Sequence, residues 1–209
     1  MNEFDLKAAG WDQNQMHWDR SVAIVSSLRE KIPLTTQMSA LEFGAGTGIA
    51  SFLLKDKLKD ITMMDNSSEM VRVMNEKIIS AKADNLQALN FDLELNEWGG
   101  KKFDLIMTQL VLHHVGDIDN IIEKFFNILN PNGYLAIADL YTEDGSFHGE
   151  GFTGHKGFDV VTLKNLLHKT GFRNISHKNC FTIDRKISET ESKLVDIFLM
   201  VANRPGTQL

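Results

Sequence analysis

The chain has 209 residues and a formal net charge of −6, and 43% of its residues are hydrophobic and 24% are charged. This is the balance of one globular domain, and without clusters of Lys and Arg it lacks the electrostatic signature of nucleic-acid binding, so we expect no nucleic-acid partner. The single cysteine, the lack of a secretory leader and the lack of any run of roughly 18 apolar residues predict a cytoplasmic protein with no membrane partner.

The first predicted element is an amino-terminal helix over 14–32. Apolar residues at helical spacing predict one buried face, formed by Val22, Ile24, Val25 and Leu28, and Pro33 ends the helix. Apolar runs then predict five strands, at 38–43, 61–65, 86–92, 103–110 and 134–140. Helices are predicted at 49–58, 67–81 and 118–129, with Ser67 or Ser68 and Asp117 as caps, and a turn is predicted at 130–133.

The last third of the chain departs from this rhythm. Residues 141–158 form a glycine-rich segment without clear periodicity, which predicts a loop, and a helix over 159–169 ends at Gly171. Two final strands, near 172–184 and 194–203, can pair as an antiparallel hairpin. Repeated alternation of strand and helix predicts an α/β protein with a parallel sheet covered by helices on both faces.

Three glycines follow the first strand at alternate positions, Gly44, Gly46 and Gly48. A strand, a glycine loop and a helix in this order direct backbone N–H groups and a positive helix end toward a ligand. The spacing differs from the G-x-G-x-x-G pattern of dinucleotide-binding proteins, and no Lys follows Gly48 as a phosphate-binding loop requires. A ligand with an amino group and no pyrophosphate fits this loop and the acidic Glu42 that precedes it.

The segment from Glu42 to Gly48 matches the E/D-x-G-x-G-x-G motif at every fixed position, and the chain resembles the class I S-adenosylmethionine-dependent methyltransferases over about residues 38–200. The segments FDLIMTQLVLHHV and LNPNGYLAIAD also resemble motifs of that family, and a Trp11-Asp12 pair resembles the cap of bacterial small-molecule methyltransferases. The resemblance implies a Rossmann-like, doubly wound sheet of seven strands, six parallel and the last antiparallel. It also implies one domain over 1–209, with a helical cap at 1–35 and a core at 36–209, and S-adenosylmethionine as cofactor.

The resemblance also assigns the cofactor contacts. Asp65 is expected to bind both ribose hydroxyls and Asp92 to face the adenine amino group, while Glu42 can meet the ammonium directly or through water. Met70 either packs on the adenine or belongs to the core. The full expected set is Glu42, Gly44, Ala45, Gly46, Thr47, Gly48, Asp65, Asn66, Met70, Asp92, Leu93 and Gln109.

Methyl transfer needs an acceptor held close to the methyl carbon, exclusion of water and, for some acceptors, a general base. The candidate bases are His113, His114 and His148, although each can instead brace a loop or lie in solvent. The polar residues Glu143, Asp144, His148, Glu150 and His155 lack regular ligand spacing, so we expect no metal. Aromatic residues are expected to line part of the acceptor pocket, namely Trp11, Trp18, Phe147, Phe152 and Phe158.

The residues after the fourth strand bear on the acceptor. They read Thr108-Gln109-Leu110-Val111, not the N/D-P-P-Y/F motif of enzymes that methylate amino groups of nucleic acids, so we expect a small-molecule acceptor. Two alternatives stay open: an NAD-dependent oxidoreductase, and a non-catalytic module that binds S-adenosylmethionine and whose pocket is closed or lacks polar groups. A monomer and a homodimer are both compatible with the sequence.

Overall fold

The computed structural model describes residues 3–148, 151–186 and 191–206, and their central feature is one seven-stranded sheet. Its strands are β1 Ser39–Phe43, β2 Asp60–Asp65, β3 Leu86–Asn90, β4 Phe103–Gln109, β5 Leu129–Leu140, β6 Arg173–Lys186 and β7 Ser192–Asn203. The α-helices are α1 Glu3–Lys7, α2 Gln15–Lys31, α3 Ile49–Leu54, α4 Ser68–Ala81, α5 Ile118–Ile128 and α6 Val160–Thr170. Short 3₁₀ helices cover Ala8–Gln13, Lys55–Lys57 and Leu112–His114.

The strand order across the sheet is β3-β2-β1-β4-β5-β7-β6. Strands β1 to β5 pair in parallel, and β7 pairs antiparallel with both β5 and β6. The predicted sheet, with only its last strand reversed, is therefore confirmed. The winding changes direction between β1 and β4, and the carboxyl ends of strands at such a point form the crevice in which open α/β sheets bind ligands.

Both faces of the sheet are covered. Successive residues of β1 belong to different apolar clusters. Ala40 packs in a cluster that includes Leu28 of α2, and Leu41 packs in a cluster that includes Phe125 of α5. Because successive strand residues point to opposite faces, the two clusters lie on the two sides of the sheet. None of the helices among the described residues is long and apolar enough to cross a membrane.

The helix predicted over 14–32 is α2, capped by the Asn14 side chain, which accepts a hydrogen bond from the Met16 N–H. The prediction of its buried face was wrong at Val22, which is 49% exposed. The buried face comprises Arg20, Ser21, Ile24, Val25, Ser27 and Leu28. These positions follow the 3.6-residue repeat, and Val22 lies off that stripe.

The predicted turn at 130–133 is a bulge within β5. Leu129 pairs with Phe103 and Tyr134 with Leu105, so the four intervening residues face Asp104 alone. The Asn130 side chain donates to the Asp104 carboxylate at 2.7 Å, which holds the bulge against β4. Other boundaries also differ from the predicted ones. β3 ends at residue 90 instead of 92, and the helix after β1 ends at 54 instead of 58. The hairpin strands are longer than predicted, since β6 reaches residue 186 and β7 begins at 192. The predicted caps Ser67 and Asp117 and the stop at Gly171 are all present.

Candidate functional site

A pocket of about 640 Å³ opens at the carboxyl ends of β1, β2, β3 and β4. This volume is within the range of pockets that hold small organic ligands. The wall near β2 and β3 contains Asp65, Asn66 and Asp92, and the opposite wall contains the three histidines predicted as candidate bases. Residues of the amino-terminal segment, among them Phe4, Trp11 and His17, also line the pocket. The strand order places the acidic wall and the histidine wall on opposite sides of β1.

The glycine loop forms the centre of the pocket wall. Gly44 and Gly46 have left-handed φ angles of 67° and 57°, and Gly44 lies so close to Val111 that a Cβ would come within 2.4 Å of its side chain. The Ala45 N–H donates to the Met64 carbonyl, and the Gly46 N–H donates to Asp65 Oδ2 at 2.7 Å. These bonds attach the loop to the end of β2.

Asp65 and Asp92 both face the pocket, and both also organise the backbone around them. Asp65 accepts hydrogen bonds from the Gly46 and Ser67 N–H groups, and burial raises the pKa of its carboxyl. Asp92 Oδ1 accepts from the N–H groups of Glu94 and Leu95. A carboxylate has about four acceptor positions, so each retains capacity for a ligand hydroxyl or amine. Met70, Leu93 and Gln109 also line the pocket.

Three residues of the expected cofactor set do not line the pocket. The Glu42 carboxylate is buried and accepts hydrogen bonds from the Ser51 hydroxyl and the Gln109 amide, and burial raises its pKa to about 7. The Thr47 hydroxyl donates to Asp12 Oδ1 at 2.5 Å. Gly48 faces the core, where a Cβ would lie 2.6 Å from Met63 Sδ. The polar groups of Glu42 and Thr47 and the space at Gly48 are used by the fold, so direct ligand contacts at these three positions stay a prediction.

The amino-terminal segment is attached to the glycine loop through Asp12. Its carboxylate accepts from Thr47 and from Lys77 Nζ at 2.6 Å, and Lys77 also donates to the Thr47 carbonyl. The Trp11 indole lies over Gly46 at 3.8 Å from the position of a Cβ and packs against the His17 ring. Asp12 therefore fixes the cap, and Trp11 forms part of the pocket wall. The role of the Trp11-Asp12 pair in a cap stays a prediction.

Asp12→Ala is expected to lower the free energy of unfolding by roughly 1–2 kcal/mol, because it removes two charge-assisted hydrogen bonds that are partly exposed to solvent. It should also raise the rate of proteolytic cleavage within residues 3–13 and weaken binding of any ligand under the cap. Urea unfolding and limited proteolysis measure these effects. Asp19→Ala, which removes an exposed carboxylate of α2, is the control. Equal stability and equal cleavage of the two variants would show that Asp12 does not fix the cap.

His113, His114 and His148 line one end of the pocket together, with ring nitrogens within 4.8 Å of one another. His113 Nδ1 bonds to Asp139 Oδ1 at 2.6 Å, and both side chains are buried. The ring of Phe152 stacks on His148 at 3.9 Å. Grouped imidazoles are also a donor set that suits divalent transition metals, so the expected absence of a metal remains a prediction that metal analysis of the purified protein tests.

His114 is half-buried, and its pKa is lowered to about 4, first by burial and then by the neighbouring His113 and His148. Between about pH 6.5 and pH 4 the unfolded chain binds a proton that folded His114 does not, so the free energy of unfolding falls as the pH falls. His114→Asn is expected to flatten this fall, measured by urea unfolding at a series of pH values. His168→Asn, at an exposed position of α6, should leave the slope as in the wild type. An unchanged slope in His114→Asn would contradict the burial of a neutral imidazole.

Residues 141–148 and 151–158 lie beside the histidine end of the pocket. The His155 N–H donates to the His113 carbonyl at 2.7 Å, and its ring bonds to the Val115 carbonyl. A Cβ on Gly154 would lie 2.3 Å from the same His113 carbonyl, so only glycine permits this approach. His155 is therefore a structural residue. Among the other polar residues considered for a metal, Glu143 accepts backbone bonds and Asp144 pairs with Lys193, while Glu150 lies outside the described residues.

The pocket is lined by four basic side chains that sequence reasoning did not identify: Lys7, His17, Arg20 and Arg185. Arg20 occupies the apolar stripe of α2 at the position before Ser21, a spacing that could have indicated its burial. Arg185 is brought to the pocket by the long β6–β7 hairpin, for which the sequence offers no local signal. Of the expected aromatic residues, Trp11 and Phe147 line the pocket, whereas Trp18, Phe152 and Phe158 do not.

Comparison with known proteins gives consistent matches. A family model described as "Methyltransferase domain" matches residues 16–177. A methyltransferase of Schizosaccharomyces pombe is 31% identical over 164 residues, which are 71% of this chain and 56% of that protein. The chain thus spans little more than half the length of this relative. A methyltransferase of Staphylococcus carnosus is 28% identical over 69% of this chain and 66% of its own length.

Solved structures show the same fold. A Haloferax volcanii methyltransferase, in complex with the Trm112 methyltransferase activator, superposes with a TM-score of 0.78 at 18% identity, covering 98% of this chain and 99% of that one. A phosphoethanolamine N-methyltransferase of Haemonchus contortus in complex with S-adenosyl-L-methionine has a TM-score of 0.72 at 17% identity, covering 90% of this chain and 53% of that one. The resemblance noted in the sequence is confirmed, and the chain belongs to the methyltransferase domain family.

Proposed function

We propose that the protein is an S-adenosylmethionine-dependent methyltransferase that acts on a small-molecule acceptor. The observation that carries this proposal is a single pocket with two different polar ends. One end has carboxylates at the carboxyl ends of β2 and β3, and the other has three clustered imidazoles. Membership in the methyltransferase domain family, and the S-adenosylmethionine complex of the Haemonchus contortus enzyme, support the same cofactor.

The residues present fit this cofactor. Asp65 offers free carboxylate lone pairs for a ribose diol, and Asp92 and Asn66 offer polar groups to an adenine edge, with Met70 and Leu93 as apolar surface. The glycine loop brings its backbone to the pocket wall without side chains at Gly44 and Gly46. When bound, S-adenosylmethionine supplies a methyl group on a positively charged sulfur. The NAD alternative has no support from the comparisons.

The histidine end is the proposed acceptor site. His113 is held by the Asp139 carboxylate through Nδ1, which leaves Nε2 as the nitrogen that can take a proton from an acceptor hydroxyl or amine. Asp139 would then stabilise the imidazolium, as the carboxylate of a catalytic triad does. His114 and His148 complete the wall, and Phe147 and the amino-terminal segment border the pocket beside them. An open pocket with these groups does not fit the non-catalytic alternative.

Asp139→Asn is expected to lower kcat by roughly 10²- to 10⁴-fold for an acceptor that must lose a proton, because the amide cannot stabilise an imidazolium. Cofactor affinity should stay near the wild-type value. The measurement is the pH–rate profile together with calorimetric binding of S-adenosylhomocysteine. A variant with the wild-type profile would leave Asp139 and His113 as structural residues only.

The proposal is tested by S-adenosylhomocysteine formation when the protein and S-adenosylmethionine are mixed with a panel of small hydroxyl, amine, thiol and carboxylate acceptors. Parallel reactions contain transfer RNA or duplex DNA instead. We expect turnover with a subset of the small molecules and none with nucleic acid. Turnover with nucleic acid alone would contradict the proposed acceptor class, and tight cofactor binding without turnover on any acceptor would favour the non-catalytic module.

A further inference from the structure

Among the residues that the structure describes, Arg20 in the pocket wall has no ion-paired or hydrogen-bonded side-chain partner. It lies on α2, is only 8% exposed and lines the pocket near Gln109 and His113. Its Nε atom is buried without a hydrogen-bond partner. Within the described ranges, no side chain forms an ion pair with Arg20 and no carbonyl accepts from its guanidinium.

The other strongly buried cation of the described chain is treated differently by the fold. Lys124 is also 8% exposed, but its ammonium donates to the carbonyls of Leu93, Glu94 and Asn96 and pairs with Glu97. Burying a charge is costly unless it is paired and hydrogen-bonded. Arg20 therefore has the desolvation cost of a buried cation and lacks the compensation that Lys124 has.

Arg20 is nevertheless charged at neutral pH. Burial lowers its pKa to about 10, and the attraction of Asp139 opposes this shift. Asp139 is the nearest source of compensation, but its carboxylate is already engaged by His113 Nδ1 and by the Leu140 N–H. A cation that remains protonated, faces a pocket and has no protein anion of its own is arranged to bind an anion from a ligand.

We propose that Arg20 is the anchor for a ligand carboxylate in this pocket. The next residue, Ser21, donates to Gln109 Oε1 at 3.2 Å, and Gln109 donates to Glu42, so this turn of α2 is fixed against the ends of β4 and β1. Arg20 is thus carried into the pocket wall by a helical turn that is attached to the sheet. The inference rests on the proposed function, which offers two sources of carboxylate: the amino-acid part of S-adenosylmethionine or the acceptor.

The test compares Arg20→Gln with Arg29→Gln, which removes an exposed charge from the same helix. Calorimetry measures S-adenosylhomocysteine, which has the carboxylate, and 5′-methylthioadenosine, which lacks the amino-acid part. If the cofactor is the source, Arg20→Gln should weaken S-adenosylhomocysteine binding by roughly 10- to 100-fold and leave 5′-methylthioadenosine binding unchanged. Arg29→Gln should bind both like the wild type.

If the acceptor is the source, Arg20→Gln should bind both nucleosides like the wild type. Acetate and benzoate should then stabilise the wild-type complex with S-adenosylhomocysteine against heat, and this stabilisation should be lost in Arg20→Gln. In either case the ligand-free variant should be at least as stable as the wild type, because the desolvation cost of the buried cation is removed and no ion pair among the described residues is lost. A destabilised ligand-free variant with unchanged binding of all four probes would overturn the inference. Failure of the wild type to bind either nucleoside would instead count against the proposed function.

Discussion

Gly46→Val is expected to abolish cofactor binding while the fold persists. Gly48→Val is expected to lower the stability of the fold by overpacking the core. Both glycines have left-handed φ angles, 57° and 79°, so a side chain strains the backbone by a similar amount, about 1–2 kcal/mol. A Cβ on Gly46 would meet only Trp11, at 3.8 Å, on the pocket side. A Cβ on Gly48 would come within 2.6 Å of Met63 Sδ in the core. Comparing the two valine variants therefore distinguishes the effect of a side chain in the pocket from the effect of an overpacked core.

Calorimetric titration with S-adenosylhomocysteine and urea unfolding of both variants measure these two effects. We expect no detectable binding for Gly46→Val and a loss of roughly 1–3 kcal/mol in the unfolding free energy of Gly48→Val beyond that of Gly46→Val. The assignment of Gly46 to the ligand would fail if its valine variant bound normally. Equal stability of the two variants would contradict the packing of Gly48 against Met63.

Asp65→Ala is expected to weaken cofactor binding by about 1.5–3 kcal/mol for each hydrogen bond it loses to a ribose hydroxyl, which is roughly tenfold or more. The same substitution leaves the Gly46 and Ser67 N–H groups without their acceptor, so the loop and the start of α4 should loosen as well. Asp65→Asn retains one acceptor oxygen and should therefore lose less stability than the alanine variant. Both effects arise from one buried carboxylate that serves the ligand and the loop.

Asp60→Asn is the matched control, because Asp60 begins the same strand at the opposite edge of the sheet, where it pairs with Lys101. Calorimetry with S-adenosylhomocysteine should show wild-type affinity for Asp60→Asn and a large loss for Asp65→Ala. Similar affinities for these two variants would remove Asp65 from the proposed binding site.

The parts of the site that could be predicted from the sequence lie at the ends of strands. Gly46, Asp65 and Asp92 each follow an apolar run, and parallel strands bring their carboxyl ends to one edge, so local pattern was sufficient to place them together. The resemblance added roles to these positions. It could not show that Thr47 and Glu42 are engaged by Asp12 and Ser51, because those partners are distant in sequence or on the following helix.

Long-range packing determined what the sequence did not reveal. Arg20 and Val22 sit two positions apart on one helix, yet the arginine is buried and the valine is exposed, because α2 is rotated to present Ser21 to Gln109. The pairing of His113 with Asp139 connects the 3₁₀ helix after β4 to the end of β5, across 26 residues of sequence. The contacts of Ser21 with Gln109 and of His113 with Asp139 join residues far apart in sequence, so both required the assembled sheet.

Thermal unfolding in the presence of S-adenosylmethionine, S-adenosylhomocysteine or NAD tests the central claim most directly. A ligand at about 100 times its dissociation constant adds roughly 2.7 kcal/mol to the unfolding free energy. The proposed function predicts that both adenosyl compounds raise the Tm and that NAD leaves it unchanged. In Gly46→Val the increase with the adenosyl compounds should be lost. A raised Tm with NAD alone, or with none of the three compounds, would contradict the proposed cofactor and with it the proposed reaction.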